Sequence, residues 1–103
     1  MYRERIHLTV TDMDGWNEAI DAMTEINKVM ERLGQPTATI WTDTVGVFNQ
    51  LVAEIDHVDL ASYEAANKAF YANEEILKQL PRINHASVPG KGYTELLETT
   101  STI

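Results

Sequence analysis

The sequence predicts one α+β domain with the element order βαββαβ, and three observations carry that prediction. Short segments near residues 5–10, 37–55 and 93–99 alternate or concentrate β-branched and aromatic residues, as half-buried strands do. Two longer segments repeat apolar residues at three- and four-residue intervals, as amphipathic helices do. Turn-forming residues fall between these segments and never inside a long polar linker.

Taken in order, Ile6, Leu8 and Val10 point one way and Arg5, His7 and Thr9 the other, giving strand one. Thr11-Asp12-Met13-Asp14-Gly15 follows as a turn in which Asp14 is expected to cap a helix. That helix carries Trp16, Ile20, Met23, Ile26 or Asn27, Met30 and Leu33 on one stripe, with Gly34 placed to end it and Pro36 beyond. Residues 37–43 and 47–55 read as a hairpin around Asp43-Thr44-Val45-Gly46. Asp56-His57-Val58-Asp59 breaks the strand pattern, and Asp59 is expected to cap a second helix bearing Leu60, Tyr63, Ala66, Phe70, Ile76 or Leu77, and Leu80, stopped by Pro81. Pro89-Gly90-Lys91-Gly92 leads into a last strand from Tyr93 to Thr99. A single domain over 1–99 with a polar tail at 100–103 results. The arrangement is the ferredoxin-like one: a four-stranded antiparallel sheet with two helices on one face.

Composition narrows the function classes. The chain has 103 residues, 44% hydrophobic and 23% charged, which is ordinary globular usage. Eight basic against sixteen acidic residues leave a charge of −8, a field that disfavours nucleic acid and anionic membrane surfaces. An RNA-recognition motif shares the element order but needs basic and stacking residues on its third strand. Residues 45–52 supply one aromatic, Phe48, and no positive charge. With no cysteine, disulfides, thiolate catalysis and thiolate metal sites drop out. The N-terminal residues form no signal-peptide apolar core and no run spans a bilayer, so the expected residence is cytoplasmic.

Both helices cover one sheet face, so Ile6, Leu8, Val10, Ile40, Leu51 and Ile55 are the expected core. The opposite face is expected to carry His7, Trp41, Phe48, Gln50, Val52 and Leu96, with Arg5, Glu54 and Glu98 towards its ends. That face is too apolar for free solvation and predicts burial in a sheet-to-sheet homodimer, with a small-molecule pocket beside the sheet.

Two segments carry a family resemblance. Asp59-Leu60-Ala61-Ser62-Tyr63-Glu64-Ala65-Ala66 and Pro89-Gly90-Lys91-Gly92-Tyr93-Thr94-Glu95-Leu96-Leu97 resemble the corresponding parts of the dimeric α+β barrel superfamily, in its NIPSNAP-like and antibiotic-biosynthesis-monooxygenase-like branch. The resemblance implies two ferredoxin-like subunits paired sheet to sheet. The activities it implies range from cofactor-free oxygenation and haem chemistry to none.

His7 is the candidate catalytic residue, because an imidazole side chain in general changes charge near neutral pH and can donate or accept. Trp41, Phe48, Gln50 and Val52 are the candidate ligand contacts. No cofactor and no metal are expected: His57 with Asp56 and Asp59 is the densest ligand cluster, but those aspartates serve the turn and the cap. Val10 to Asp21 matches a calcium loop poorly, lacking the first carboxylate and the final glutamate. The expected function is binding of a small apolar or aromatic molecule, with cofactor-free oxygenase-like or isomerase-like chemistry as the enzymatic form. The alternative is a non-catalytic structural or regulatory dimer.

Overall fold

A computed structural model describes residues 1–43 and 49–100. Strand β1 (Tyr2–Thr9) leads into helix α1 (Met13–Arg32), then β2 (Thr39–Thr42), β3 (Gln50–His57), α2 (Leu60–Ala72), α3 (Glu74–Ala86) and β4 (Tyr93–Glu98). The strands form one sheet of order β2-β3-β1-β4, every pair antiparallel. This is the ferredoxin-like α+β architecture, with three helices where two were expected.

The extra helix comes from Asn73. Its extended backbone (φ −100°, ψ 120°) closes α2, and its side-chain oxygen accepts from the Ile76 N–H to open α3. Pro81 therefore does not stop the second helical segment; it sits exposed inside α3, where its missing N–H leaves one carbonyl of that helix without its usual donor. At the first helix the cap is Asp12, not Asp14: its carboxylate accepts from the Gly15 N–H at 2.7 Å. Gly15 is packed there so closely that a Cβ would lie 2.5 Å from Thr11 Oγ1. Asp59 caps α2 through the Ser62 N–H as expected, and Gly34, at φ +71°, follows the last residues of α1.

The register assigns the faces. Glu4 pairs with Ile55, Ile6 with Ala53 and Leu8 with Leu51, so these look towards the helices. Arg3 with Asp56, Arg5 with Glu54 and His7 with Val52 look the other way. Strand β3 runs through Asp56 and His57 instead of breaking there, because both continue the ladder opposite Arg3 and Tyr2. On β4 the expected faces are reversed: Thr94 pairs with Ile6, Leu96 with Glu4 and Glu98 with Tyr2, which puts Leu96 and Glu98 on the helix side. Tyr93, Glu95 and Leu97 occupy the open face in their place. Adjacent leucines at 96 and 97 make the alternation of this strand readable in either parity, and a one-residue slip flips every side chain.

The core divides into two clusters. One joins Ile26, Val29 and Met30 of α1 to Ala66 of α2 and Ile76 of α3. The other joins Val10, Ala19, Leu51 and Ala86 at the end of the sheet. Of the expected core residues Val10 and Leu51 are sealed, while Ile6, Leu8, Ile40 and Ile55 are only half-buried. Ile6, Leu8 and Ile55 are open because a cavity lies over them.

Candidate functional site

The cavity, about 260 Å³, lies between the helix side of the sheet and the helices. Its floor is Glu4, Ile6 and Leu8 of β1, Ala53, Ile55 and His57 of β3, and Thr94 of β4. Met23, Ile26, Asn27 and Met30 of α1, Ala66, Asn67, Phe70 and Tyr71 of α2, and Leu80 and Ile83 of α3 make the walls and roof, with Pro36 and Ala38 at one side. Small residues on both sides explain the gap: Ala53 of β3 and Ala66 of α2 leave space that a larger side chain would fill.

Two polar groups break the apolar lining at one end. His57 is 2% exposed, and its Nε2 lies 3.3 Å from Glu4 Oε1. The ring of Tyr63 meets it edge-on at 5.2 Å, and His57 Nδ1 is buried with no hydrogen-bond partner. An N–H at Nδ1 would be an orphaned donor, so the favoured arrangement has Nε2–H donating to Glu4. The other side of the cavity has a fixed amide: Asn27 donates to the Ala38 carbonyl and accepts from the Ala38 N–H, tying α1 to the segment before β2.

The residues expected to form the site lie on the opposite face. His7 is held at three points: Nε2 is 2.6 Å from Glu95, Nδ1 is 3.3 Å from the Gln50 amide, and Tyr93 stacks on the ring at 4.1 Å between centroids. The Nε2-protonated tautomer satisfies both polar partners. Val52 is directly opposite His7 across β1 and β3, and Trp41 is directly opposite Val52 on β2. The structure thus gathers His7, Gln50, Val52 and Trp41 on one face, away from the cavity. Phe48 lies outside the described residues.

That open face is a ladder of cross-strand pairs edged by apolar groups. Arg3 makes a bidentate contact with Asp56 at 2.7 and 3.1 Å, and Arg5 meets Glu54 at 2.6 Å. The Arg3 hydrogen bond holds the Asp56 carboxyl below its ordinary range. Trp41 on one edge strand and Tyr93 on the other remain more than half exposed, and Leu97 is exposed on the same strand as Tyr93. Asp56 and Asp59, the sequence neighbours of His57, are committed elsewhere: one to Arg3, the other to the α2 cap.

Glu4 and His57 are the functional candidates that the strand patterns understate. Each continues the helix-side parity by one step, Glu4 before Ile6 and His57 after Ile55. A polar, titratable side chain on the buried parity of a central strand is the signal that points to them.

No protein-family model and no curated protein gives a significant match to the chain. Solved structures do match in fold. An uncharacterised NIPSNAP domain protein from Burkholderia xenovorans superposes with a TM-score of 0.80 at 15% identity, covering 100% of this chain and 98% of that one. An antibiotic biosynthesis monooxygenase matches with a TM-score of 0.73 at 13% identity, over 98% of this chain and 100% of the other. SnoaB, a cofactor-independent oxygenase from Streptomyces nogalater, matches with a TM-score of 0.72 at 14% identity, over 99% and 95%. At these identities the likeness is one of fold, and it falls on the two groups of proteins that the helix and loop segments resemble.

Proposed function

We propose that this protein is a homodimer whose subunits each bind a small, mainly apolar molecule in the cavity between sheet and helices. The observation that carries the reading is the cavity itself: close-packed interiors rarely keep such a gap, and this one joins apolar walls to one polar end. Its volume lies just under the roughly 300–1,000 Å³ of drug-sized sites, which suits a ligand of one or two rings. The groups it offers, a carboxylate and an imidazole, can bind, orient and move a proton. The oxygenase among the structural neighbours makes cofactor-free chemistry on such a ligand the enzymatic form of this reading.

The dimer rests on the open face. Trp41, Tyr93 and Leu97 leave apolar surface exposed there, and contiguous exposed apolar surface marks interaction sites. In this reading His7, Trp41, Gln50 and Val52 serve that interface, and the ligand contacts move to the cavity.

The test fills the cavity. Ala53→Met should keep the fold by circular dichroism and weaken binding of naphthalene, measured by calorimetry, by about tenfold or more. Unchanged binding in the folded variant would place the ligand elsewhere and defeat the proposal.

A further inference from the structure

We propose that acid tightens the subunit contact on the open face through His7 and Glu95, so that the homodimer takes up protons as it forms. The inference rests on the dimer proposed above and names its regulation. Among the described residues, the open face carries three cross-strand couples of a basic residue and a carboxylate. Arg3 is bidentate to Asp56 and Arg5 meets Glu54, and a guanidinium stays charged at every physiological pH. The third couple is His7 with Glu95 at 2.6 Å, and its basic member is an imidazole. Glu95 makes no other side-chain hydrogen bond among the described residues.

With the imidazole neutral, Nε2–H donates to Glu95 and the couple keeps a full negative charge. A sheet-to-sheet contact of two-fold symmetry brings two such carboxylates, one from each subunit, into one desolvated layer. Buried charge is costly unless paired, and both arginines are already engaged. A proton on His7 turns the couple into a neutral ion pair.

The surroundings of His7 suit it to receive that proton. Its side chain is 14% exposed, and its Nδ1 faces the Gln50 amide at 3.3 Å. That amide carries an oxygen as well as an NH2, so by turning over it can accept from Nδ1–H in place of donating. Tyr93 stacks on the ring with 4.1 Å between centroids, and an aromatic face attracts a cation. His57 shows the contrast: its Nδ1 is buried on the helix side with no acceptor, so a proton there would be orphaned. The groups that face His7 are Gln50, Val52 and the Arg5-bound Glu54 on β3, Tyr93 and Glu95 on β4, and Arg5 on β1 itself. On β2 the same face offers Thr39 and Trp41, neither of them a charge. Lys91 before β4 and Asp43 after β2 are exposed and outside the paired registers. By linkage, a contact that favours the protonated couple tightens as pH falls through the range where imidazoles in general titrate.

Sedimentation equilibrium at fixed ionic strength, from about pH 8.5 to about pH 6, tests this on the wild type, His7→Gln and Glu95→Gln. The wild-type dissociation constant should fall about tenfold or more over that range. His7→Gln should show no such fall. Glu95→Gln should dimerise at the alkaline end at least as tightly as the wild type and gain nothing on acidification, because protonated His7 then meets no anion. It carries the test if His7→Gln does not fold. A wild-type constant that stays flat or rises on acidification would overturn the proposal and leave the dimer standing. An acid gain kept in both variants would assign it to other groups and overturn the proposal as well. A wild type that is monomeric throughout would remove the dimer itself, and this inference with it.

Discussion

Carboxylates at the surface of this molecule do structural work that acid should undo. Glu18 is hydrogen-bonded to Arg82 at 2.6 Å, Asp56 to Arg3, and Asp59 accepts from the Ser62 backbone, and each bond holds its carboxyl below the ordinary value. The folded state therefore binds fewer protons than the unfolded chain in this range. Their contribution is complete above the ordinary carboxylate values and is lost as pH falls through the lowered folded ones. Thermal melts followed by circular dichroism should show the midpoint falling steeply below about pH 4. Asp56→Asn should make that fall shallower; a midpoint indifferent to acid would contradict the role given to these pairs. At this same scale the sequence was informative where alternation is clean. The helix-side parity of Ile6, Leu8, Leu51 and Ile55 was legible, and so was the gathering of His7, Trp41, Gln50 and Val52 on one face. The Glu4 and His57 pair was not, because a glutamate at a strand start and a histidine before a turn both read as ends of a pattern rather than as members of it.

Among the elements, the two strands of the centre and the long first helix follow from period, although Asp12 and not Asp14 caps that helix and β3 runs on to His57. The second helical segment shows why single residues can outweigh a stripe. Its apolar spacing runs on through Phe70 and Ile76 as if one helix carried it, yet Asn73 offers its side chain to the Ile76 N–H and starts a new one. Both sides of the break line one cavity, Phe70 from α2 and Leu80 and Ile83 from α3. Replacing the cap tests this directly. Asn73→Ala should cost about 1 kcal/mol in urea unfolding, the usual worth of an N-cap, and should loosen the roof of the cavity. An unchanged unfolding midpoint would mean that packing alone sets the break. On β4, paired leucines hid the parity, and only the register with β1 resolves which of Leu96 and Leu97 faces the helices.

For the whole molecule, the Cα radius of gyration of 14.0 Å is larger than the roughly 13 Å expected of a compact chain this long. Among the described residues no helix is long and apolar enough to cross a membrane. Light scattering should give a native mass of twice 11.6 kDa, and Trp41→Glu, which sets a charge on the edge strand β2 of the open face, should return it to the monomer value. A monomeric wild type at micromolar concentration would leave the open face to another partner.

The claim that joins these scales is a division of labour between the two faces of one sheet, ligand on the helix side and subunit contact on the other. Methyl-resolved NMR of the protein titrated with naphthalene tests it in a single measurement. The account predicts shifts at Ile6, Met23, Ile26 and Met30, around the cavity, with Val52 and Leu97 unmoved. Shifts concentrated at Val52 and Leu97 with a silent cavity would contradict it.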